Sequence, residues 1–470
     1  MLPSLSKIFV IRPVLIGTIC LCGTLSTSAT AQIPAEPQRE QLLNGLRVLF
    51  WPRPGGPEVL LKLRIHSGAA FDLAGKSGEM ALLGDLLFPD RATIDYFTEE
   101  AGGKLEVAVN YDSVTLTVAG KASDLDRIVG VLRNALLAMS FTPDVVGRLR
   151  DARIKIIRDT EISPTTVADQ AIKSRLFGNF PYGRPAAGIA EDLAKVSRGD
   201  LILARDRFFN ANNATIAITG GFDPSRAMRT LRQLLGPWRR SDELVPTTFR
   251  QPEAPDNKIL LVNSPGSSAE VRLAVRGVAR SDPDYFTAQV LAAVTQHRWL
   301  QIAPDLGKKP VFVRSESYYL PGIFSLGATV DNQSAAATVA SARKVLASFV
   351  NTPVTVPELE SARAEVAAEM ARVLAKPEGV SDAYLDIDTY NVAPLSGQMS
   401  ALNRVSVADL QRVATGLFRD SSVAGVVVGE AAVLKSTLTG KINFEVMGET
   451  DYSTPAAKPS QKSADTKKPG

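Results

Sequence analysis

The chain has only two histidines, His66 and His297, and this small number restricts the metal chemistry available to it. A helix that holds a catalytic zinc ion needs two imidazoles at positions i and i+4, with a carboxylate between them as general base. His66 and His297 are too far apart in the sequence to share a helical turn, and neither has a second histidine beside it. A zinc helix of this kind is therefore excluded.

The segment Gly75–Asp90 nevertheless has the frame of such a helix. Where a zinc helix would read His-x-x-Glu-His, this chain has Ala81 and Asp85 at the two imidazole positions and Gly84 at the position of the general base. Aliphatic side chains and glycine offer a metal no lone pair, and a carboxylate alone favours hard cations over zinc. We therefore expect no zinc cofactor.

Nucleophilic catalysis has no evident candidate either. The chain has two cysteines, Cys20 and Cys22, and both lie in the N-terminal segment that we expect to be removed. There is no Gly-x-Ser-x-Gly motif and no histidine beside a suitable serine. A divergent active hydrolase would need a group that the sequence does not reveal.

The first 31 residues have the pattern of a secretory signal peptide. Lys7 and Arg12 precede the apolar run Val14–Cys22, and the small residues Ala29–Ala31 stand before Gln32. The apolar run is too short to span a membrane, so we expect no integral membrane segment in the mature chain. The predicted location is the periplasm, with secretion as the alternative.

Charge indicates little about partners. Of the formal net charge of +4, two units lie in the first 31 residues and two in the tail after Glu449, so the remaining chain is neutral. No electrostatic footprint for nucleic acid follows from this balance, and we expect no nucleic-acid partner. The tail, residues 450–470, is composed largely of Pro, Ser, Ala and Lys, and its composition predicts disorder.

An internal duplication organises the rest of the chain. Two stretches share their pattern at a constant separation of 209 positions, through the pairs Val196 and Val405, Asp200 and Asp409, and Gly220 and Gly429. A repeated unit of this size indicates two homologous domains rather than a solenoid. We predict a signal peptide at 1–31, an N-terminal domain at 32–243, a proline-containing linker at 244–257, a C-terminal domain at 258–449 and a tail at 450–470.

Each half mixes strands and helices. Lys62 and Arg64 alternate with apolar residues, as expected in a half-buried strand, whereas the apolar residues of 125–136 repeat at helical spacing. Asn44-Gly45 is a tight-turn signal. The order of elements predicts the α+β class, with two homologous domains that each contain a mostly antiparallel sheet covered by helices on one face.

Four motifs in order, together with the duplication, resemble the pitrilysin/insulinase family of zinc metallopeptidases. The motifs are Leu43–Val48, the helix Gly75–Phe88, the segment Phe180–Pro185 with Gly188, and the block Val196–Gly220. The resemblance covers about Gln41 to Gly448 and is greatest to the short, two-domain branch related to mitochondrial processing peptidase. It implies a LuxS/metallopeptidase-like sandwich in a clamshell arrangement, but a fold alone does not establish activity.

The resemblance assigns the lost catalytic positions. The family's zinc motif falls on Ala81, Gly84 and Asp85, and its third ligand, a glutamate on a later helix, falls on Asp159 or the nearby Glu161. One hypothesis is that Asp85, Asp159 and Glu161 meet and bind calcium or magnesium weakly. The alternative is that these are ordinary exposed or capped carboxylates.

The family also uses an arginine and a tyrosine in the second domain to grip the substrate backbone. On the family pattern these positions are Ala303 and Pro310 in this chain, which implies loss of the grip. A shift in register would replace the pair by Arg314 with Tyr318 or Tyr319. The alternative is a strand with an outward arginine and packing tyrosines.

Three functions follow from the resemblance. The preferred one is a noncatalytic pseudopeptidase subunit that acts in the periplasm with a homologous partner bearing His-x-x-Glu-His and binds unfolded peptides. The second is a divergent active metallopeptidase. The third is a stand-alone peptide-binding or structural module.

Overall fold

The computed structural model describes residues 34–100, 103–160, 162–243, 249, 253 and 255–447. The predicted signal peptide, most of the predicted linker and the predicted tail lie outside these residues. The described residues all belong to one packed unit. Residues 34–243 are called the first half below, and residues 255–447 the second half.

The first half builds a six-stranded sheet, called sheet A. All of its neighbouring strands are antiparallel except the strands Arg47–Pro52 and Ala214–Gly220, which are parallel. A tight turn at Asn44-Gly45 joins the first two strands, with Gly45 at a φ of +91° that favours glycine. In spatial order β1-β2-β6-β3-β5-β4, the strands are β1 (Gln38–Gln41), β2 (Arg47–Pro52), β3 (Glu58–Ile65), β4 (Lys104–Val109), β5 (Val114–Lys121) and β6 (Ala214–Gly220).

Helices of the first half supply the core that lies against one face of sheet A. Leu61 and Leu63 of β3 share a hydrophobic core with residues of the helices Leu125–Leu137, Arg198–Phe208 and Pro224–Leu235. The helices are α1 (Glu79–Asp85), α2 (Arg91–Asp95), α3 (Leu125–Leu137), α4 (Pro143–Thr160), α5 (Pro164–Phe177), α6 (Ala190–Leu193), α7 (Arg198–Phe208) and α8 (Pro224–Leu235).

The second half repeats this plan around sheet B, in spatial order β12-β7-β11-β8-β10-β9. Its strands are β7 (Ile259–Asn263), β8 (Ser268–Arg276), β9 (Val311–Glu316), β10 (Ile323–Asp331), β11 (Ala424–Gly429) and β12 (Phe444–Val446). Its helices are α9 (Tyr285–Ile302), α10 (Ala335–Asn351), α11 (Val356–Leu374), α12 (Pro377–Tyr390), α13 (Leu395–Arg404), α14 (Val407–Ala414) and α15 (Ala431–Leu438). The predicted α+β class with two mostly antiparallel sheets is confirmed.

The repeated sequence block forms the same local structure in both halves. Helix α7 begins at a capping box in which Ser197 and Asp200 satisfy each other's backbone N–H groups. Helix α14 begins at the matching box of Ser406 and Asp409, 209 positions later. Because a capping box pairs two backbone donors that would otherwise be unsatisfied, it fixes where each helix starts. The strands β6 and β11 follow these helices at the centre of their sheets.

The two halves exchange one helix each. Helix α12 of the second half lies on β3 and β6 of sheet A, whereas α5 of the first half lies on β8 and β11 of sheet B. We call the contact of α12 with sheet A the charged interface and the contact of α5 with sheet B the apolar interface. Each sheet is therefore covered on a second face by a helix from the other half.

This exchange changes the environment of β3. Its alternating pattern predicts an exposed polar face, but Lys62 and Arg64 are both 7% exposed. Successive strand residues point to opposite faces, so these two side chains lie on the face that α12 covers. The expectation of a half-buried strand is therefore wrong for β3, because a helix distant in the sequence covers its polar face.

Candidate functional site

The helix α1 carries the positions that the resemblance assigns to the zinc motif, and it packs against α4, α7 and the edge strand β4. Ala81 is 1% exposed. A Cβ atom on Gly84 would lie 2.9 Å from Cγ2 of Val109 and 3.5 Å from Cγ1 of Val107, so α1 sits close on β4. A glutamate at position 84 would require α1 or these valines to move.

Asp85 is held by an arginine of α4. Arg153 donates from Nε to Oδ2 and from Nη2 to Oδ1 of Asp85, each at 2.5 Å. Such a bidentate pair occupies both carboxylate oxygens and fixes their direction. A cation at Asp85 would have to compete with this guanidinium.

The start of α1 is fixed by the buried carboxylate of Asp72. It accepts hydrogen bonds from the backbone N–H groups of Gly78 at 2.7 Å and Met80 at 2.8 Å. Burial raises the pKa of Asp72 to about 7, although these hydrogen bonds and Arg184 oppose the shift. The first turn of α1 is thus tied to a carboxylate that is costly to ionise.

The motif at Phe180–Pro185 with Gly188 packs against this same turn. Gly188 has a φ of +100°, and a Cβ atom there would lie 2.5 Å from the Cα atom of Gly78. Arg184 donates to the backbone oxygens of Asp72 and Leu73 at 3.3 and 3.4 Å. The motif therefore positions α1. This structural role accounts for the motif whether or not α1 carries metal ligands.

The other metal candidates do not join Asp85 in the part of the chain that the structure describes. Asp159 is exposed near the end of α4, and Glu161 lies outside the described residues. Within the described ranges, no three His, Cys, Asp or Glu side chains are placed to hold a metal ion together.

The two positions assigned to the lost grip lie between α9 and β9. Ala303 follows α9 and donates its N–H to the oxygen of Trp299 at 2.9 Å. Pro310 is exposed and precedes β9, and its oxygen accepts from the N–H of Thr329 at 3.0 Å. Both residues contribute backbone hydrogen bonds to the fold.

The three replacement candidates are placed differently from one another. Arg314 is exposed on β9, with its guanidinium 4.2 Å from the ring centre of Phe312. The Tyr318 hydroxyl donates to Glu316 at 2.6 Å and accepts from Lys173 at 3.2 Å. Tyr319 is 42% exposed. Of the two tyrosines, only Tyr319 presents much surface to a ligand.

Sequence reasoning missed Asp112, which joins the two halves beside β4. Asp112 lies in the turn between β4 and β5, and its carboxylate accepts from the hydroxyl groups of Tyr182 at 3.1 Å and Tyr390 at 3.3 Å. It also accepts from the N–H of Tyr319 at 2.9 Å. Burial raises the pKa of Asp112 to about 6 against these hydrogen bonds. The position of Tyr182 inside the Phe180–Pro185 motif was the available signal.

The strand β4 has one unpaired edge next to α1. Among the described residues it pairs only with β5, and it stands last in sheet A. Its residues alternate between exposed and more buried positions, with Val107 and Val109 towards α1. An edge of six residues with free backbone groups can accept a further extended strand.

Neither histidine lies at α1. His66 follows β3 at the charged interface, where its Nδ1 is 2.9 Å from Oγ1 of Thr389 and its Nε2 is 3.0 Å from Oγ1 of Thr215. Each ring nitrogen of His66 thus lies within hydrogen-bond distance of a threonine hydroxyl. His297 lies on α9 with Nε2 at 3.0 Å from Oε2 of Glu365.

Comparison with known proteins gives a family match in the middle of the chain. Residues 195–366 match the family described as "Peptidase M16 inactive domain". The human cytochrome b-c1 complex subunit 1 is 23% identical over 61% of this chain and 60% of its own length. A probable mitochondrial-processing peptidase subunit beta of Arabidopsis thaliana is 22% identical over 53% of this chain and 48% of its own length. The chain thus matches about half to three-fifths of these curated relatives.

The fold has close counterparts among solved structures. A protease from Helicobacter pylori superposes with a TM-score of 0.74 at 18% identity, covering 83% of this chain and 99% of that one. At this identity the likeness establishes the fold. In the described part of the chain, no helix has the length and apolar character needed to cross a membrane.

Proposed function

We propose that this chain, as a member of the M16 (pitrilysin/insulinase) family, is a noncatalytic subunit. In this role it holds unfolded peptides for a homologous partner. That partner carries the intact His-x-x-Glu-His motif and performs the cleavage. We place this work in the periplasm, on the basis of the N-terminal sequence pattern. No zinc cofactor is part of the proposal.

The observation that carries the proposal is the pairing of Asp85 with Arg153. At the position that the resemblance assigns to a zinc imidazole, this chain has a carboxylate whose two oxygens are both bound by a guanidinium. Ala81, one turn earlier, is buried and has no donor atom. A positive guanidinium beside the former site also disfavours a dication by charge repulsion. This arrangement supports loss of the cutting step.

The unpaired edge of β4 supports a remaining role in peptide binding. An extended peptide can add to a free sheet edge through backbone hydrogen bonds, which do not depend on the peptide sequence. Asp112 anchors the adjoining turn to the second half through Tyr319 and Tyr390, so this edge is held in place. Substrate holding and substrate cutting would thus be divided between two chains.

Peptide binding at β4 can be tested with a proline substitution. Val107→Pro removes a backbone donor within β4, and a matched substitution Val48→Pro would disrupt the core strand β2 instead. Val109→Pro offers an alternative, because its N–H, like that of Val107, points away from β5 in the antiparallel ladder. If either β4 variant stays folded, as judged by circular dichroism, we expect peptide affinity to fall about tenfold. Unchanged affinity in both folded variants would contradict binding at this edge.

The partner is tested by copurification. The mature chain is coexpressed with a homologous peptidase that bears His-x-x-Glu-His, and the complex is examined by size-exclusion chromatography with light scattering. We expect a stable heteromer. A chain that remains monomeric, and leaves the activity of the partner unchanged, would contradict the proposal.

A structural role in a larger assembly is the second candidate. The relative named cytochrome b-c1 complex subunit 1 favours it, because that name describes a subunit of a multiprotein complex. This candidate predicts a stable assembly, or peptide binding, in the absence of any catalytic partner. A divergent active peptidase is the third, and it predicts stoichiometric metal together with cleavage of unfolded peptides by the chain alone.

A further inference from the structure

A cavity of about 700 Å³ lies in the second half, away from α1 and from the β4 edge. It opens to solvent and is lined by α10, by the residues before β7, by the segment that precedes β11 and by the segment that precedes β12. This volume is within the range of pockets that bind small molecules. None of the residues discussed for cutting or gripping a peptide lines it.

Two cations, Arg343 and Lys441, line the cavity, and neither has a carboxylate partner in the part of the chain that the structure describes. Arg343 of α10 donates from Nη2 to the backbone oxygen of Asn257 at 3.1 Å. Among the described residues, no carboxylate lies within ion-pair distance of Arg343 or Lys441. Burial lowers the pKa of Arg343 below its usual range, and no neighbouring anion opposes that shift. A partly buried guanidinium in this setting is stabilised by any anion that enters.

The remaining charges of the cavity do not cancel these two. Asp256 and Lys258 both lie at its rim and carry opposite charges. The Asp256 carboxylate also accepts a hydrogen bond from the backbone N–H of Lys258 at 3.0 Å. The charge balance of the lining is therefore set by Arg343 and Lys441, and it is positive.

Part of the wall is apolar. Leu346 and Phe418 line the cavity and are 4% and 9% exposed, and Val423 and Ile442 lie beside them. The Phe418 ring is also fixed from behind, with ring centres of Phe324 and Phe349 at 5.2 and 5.4 Å. A rigid apolar wall next to two cations suits a ligand that has an apolar body and an anionic head.

We propose that this cavity binds a small amphipathic organic anion, with its carboxylate or phosphate group on Arg343 and Lys441 and its apolar body against Leu346 and Phe418. The site is separate from the proposed peptide-binding edge and does not depend on that function. Ligand binding here would add a small-molecule site to the second half.

The proposal is tested by isothermal titration calorimetry of the mature chain with four probes. Octanoate and octyl phosphate carry the apolar body with either anionic head, acetate carries the head alone, and octylamine carries the body with a positive charge. We expect saturable binding of octanoate or octyl phosphate, at least about tenfold tighter than that of acetate. The tighter of the two octyl anions identifies the preferred head. Binding of octylamine as tight as that of both octyl anions would overturn the proposal.

Three substitutions locate the binding. Arg343→Gln removes the partly buried cation, and we expect it to weaken binding of the octyl anion about tenfold. Ser421→Trp blocks the cavity while keeping both cations, and it should abolish binding. Lys308→Gln removes one positive charge from an exposed position of the same half and should leave affinity within about twofold of the wild type.

The two cavity variants together distinguish loss of binding from loss of folding. Arg343→Gln changes charge without adding volume, whereas Ser421→Trp adds volume at a half-buried rim position, and the melting temperature of each is compared with that of the wild type. Retained octanoate and octyl phosphate affinity in either folded variant would overturn the assignment of the anion to this cavity. Loss in both folded variants, with Lys308→Gln unaffected, supports it.

Discussion

The charged interface and the apolar interface are two copies of one arrangement with different chemistry. In each, a helix from one half lies on the central strands of the other half's sheet. Both contain an ion pair between the covering helix and a central strand: Lys62 with Asp382 at 2.6 Å, and Arg272 with Asp169 at 2.6 Å. Each aspartate is the sixth residue of its helix. On the neighbouring strand, Lys62 lies opposite Ala217 and Arg272 lies opposite Val426. These two strand partners are separated by the repeat distance of 209 positions. These two ion pairs are equivalent.

Around this shared pair the interfaces diverge. At the charged interface Arg64 binds Asp386 at 2.5 Å and Asp382 at 3.1 Å, and at the apolar interface the strand position equivalent to Arg64 is Ala274. The centre of the apolar interface is instead filled by side chains that form one hydrophobic cluster: Ala168, Ile172, Leu176, Phe177, Ala424, Val426 and Val428. Its other ion pairs, Lys173 with Glu316 and Arg175 with Glu445, reach the outer strands β9 and β12. The charged interface has a smaller apolar cluster of its own, formed by Leu49, Trp51, Ala217, Val380, Tyr384, Leu385 and Leu395. Hydrophobic packing resists changes of salt and pH, whereas ion pairs do not. We expect the apolar interface to hold the halves together and the charged interface to respond to conditions.

Substitution of the two equivalent cations, Arg272 and Lys62, should give the largest difference in stability loss between the two interfaces. The Arg272 side chain is 2% exposed and also lies 2.9 Å from Glu270, which is 5% exposed. Arg272→Met leaves that buried carboxylate without its cation and should lower the free energy of unfolding by about 3–5 kcal/mol. Lys62→Met should cost about 1 kcal/mol or less, because Asp382 is 41% exposed and keeps Arg64. Urea unfolding measures both, and equal losses would remove the distinction between the interfaces.

A cavity at the apolar interface should have the next largest effect. Ile172 is 2% exposed in α5 and belongs to the cluster against sheet B. Ile172→Ala should lower the free energy of unfolding by about 2–4 kcal/mol, through lost apolar burial and the remaining cavity. The control Ile156→Ala lies on α4 at 60% exposure and should cost about 0.5 kcal/mol or less. Similar losses for both variants would show that α5 adds little stability.

Acid should affect the charged interface through His66. Burial first, and then Arg47 and Arg64, lower the pKa of His66 well below its ordinary value of 6.5. As the pH falls below 6.5 the unfolded state binds a proton that the folded state rejects, so stability present above this pH is lost. His66→Asn should therefore lose less stability than the wild type between pH 7 and pH 5, as measured by urea unfolding at both values. His297→Asn on α9 is the matched control, and an equally reduced loss in that variant would contradict this role for His66.

Among these tests, salt should have the smallest effect, which is on the coupling free energy of one ion pair at the charged interface. The coupling of Lys62 with Asp382 is obtained from a double-mutant cycle of Lys62→Met and Asp382→Asn. We expect about 0.5–1 kcal/mol at low salt and less at 1 M NaCl, since Asp382 is substantially exposed. A coupling free energy above this range that is unchanged by salt would mean that the charged interface is as insensitive to salt as we expect the apolar one to be.

Sequence reasoning predicted the features that local pattern determines. The capping boxes at Ser197 and Ser406 repeat at a fixed separation, so the duplication and the α+β class could be read directly. The tight turn at Asn44-Gly45 was equally local. The family resemblance followed from several such motifs in order, and the match of residues 195–366 to the family described as "Peptidase M16 inactive domain" agrees with it.

The exchange of α5 and α12 could not be predicted, because it depends on packing between distant segments. Lys62 and Arg64 have the alternating pattern of an exposed strand face, and only α12, more than 300 positions later, buries them. Arg153 is likewise 68 positions from Asp85, and no local spacing indicates that they pair. The residues around Asp112 gave no local signal, since its three partners come from separate parts of the chain, and only the place of Tyr182 in the Phe180–Pro185 motif pointed to it.

The most direct test of the central claim is cleavage of an unfolded fluorogenic peptide by the mature chain, alone with added zinc and mixed with a homologous partner bearing His-x-x-Glu-His. If the chain is a noncatalytic subunit, it cleaves nothing alone, and the partner cleaves faster with the chain than without it. Cleavage by the chain alone that a chelator abolishes would contradict the account. So would a partner whose rate does not change when the chain is added.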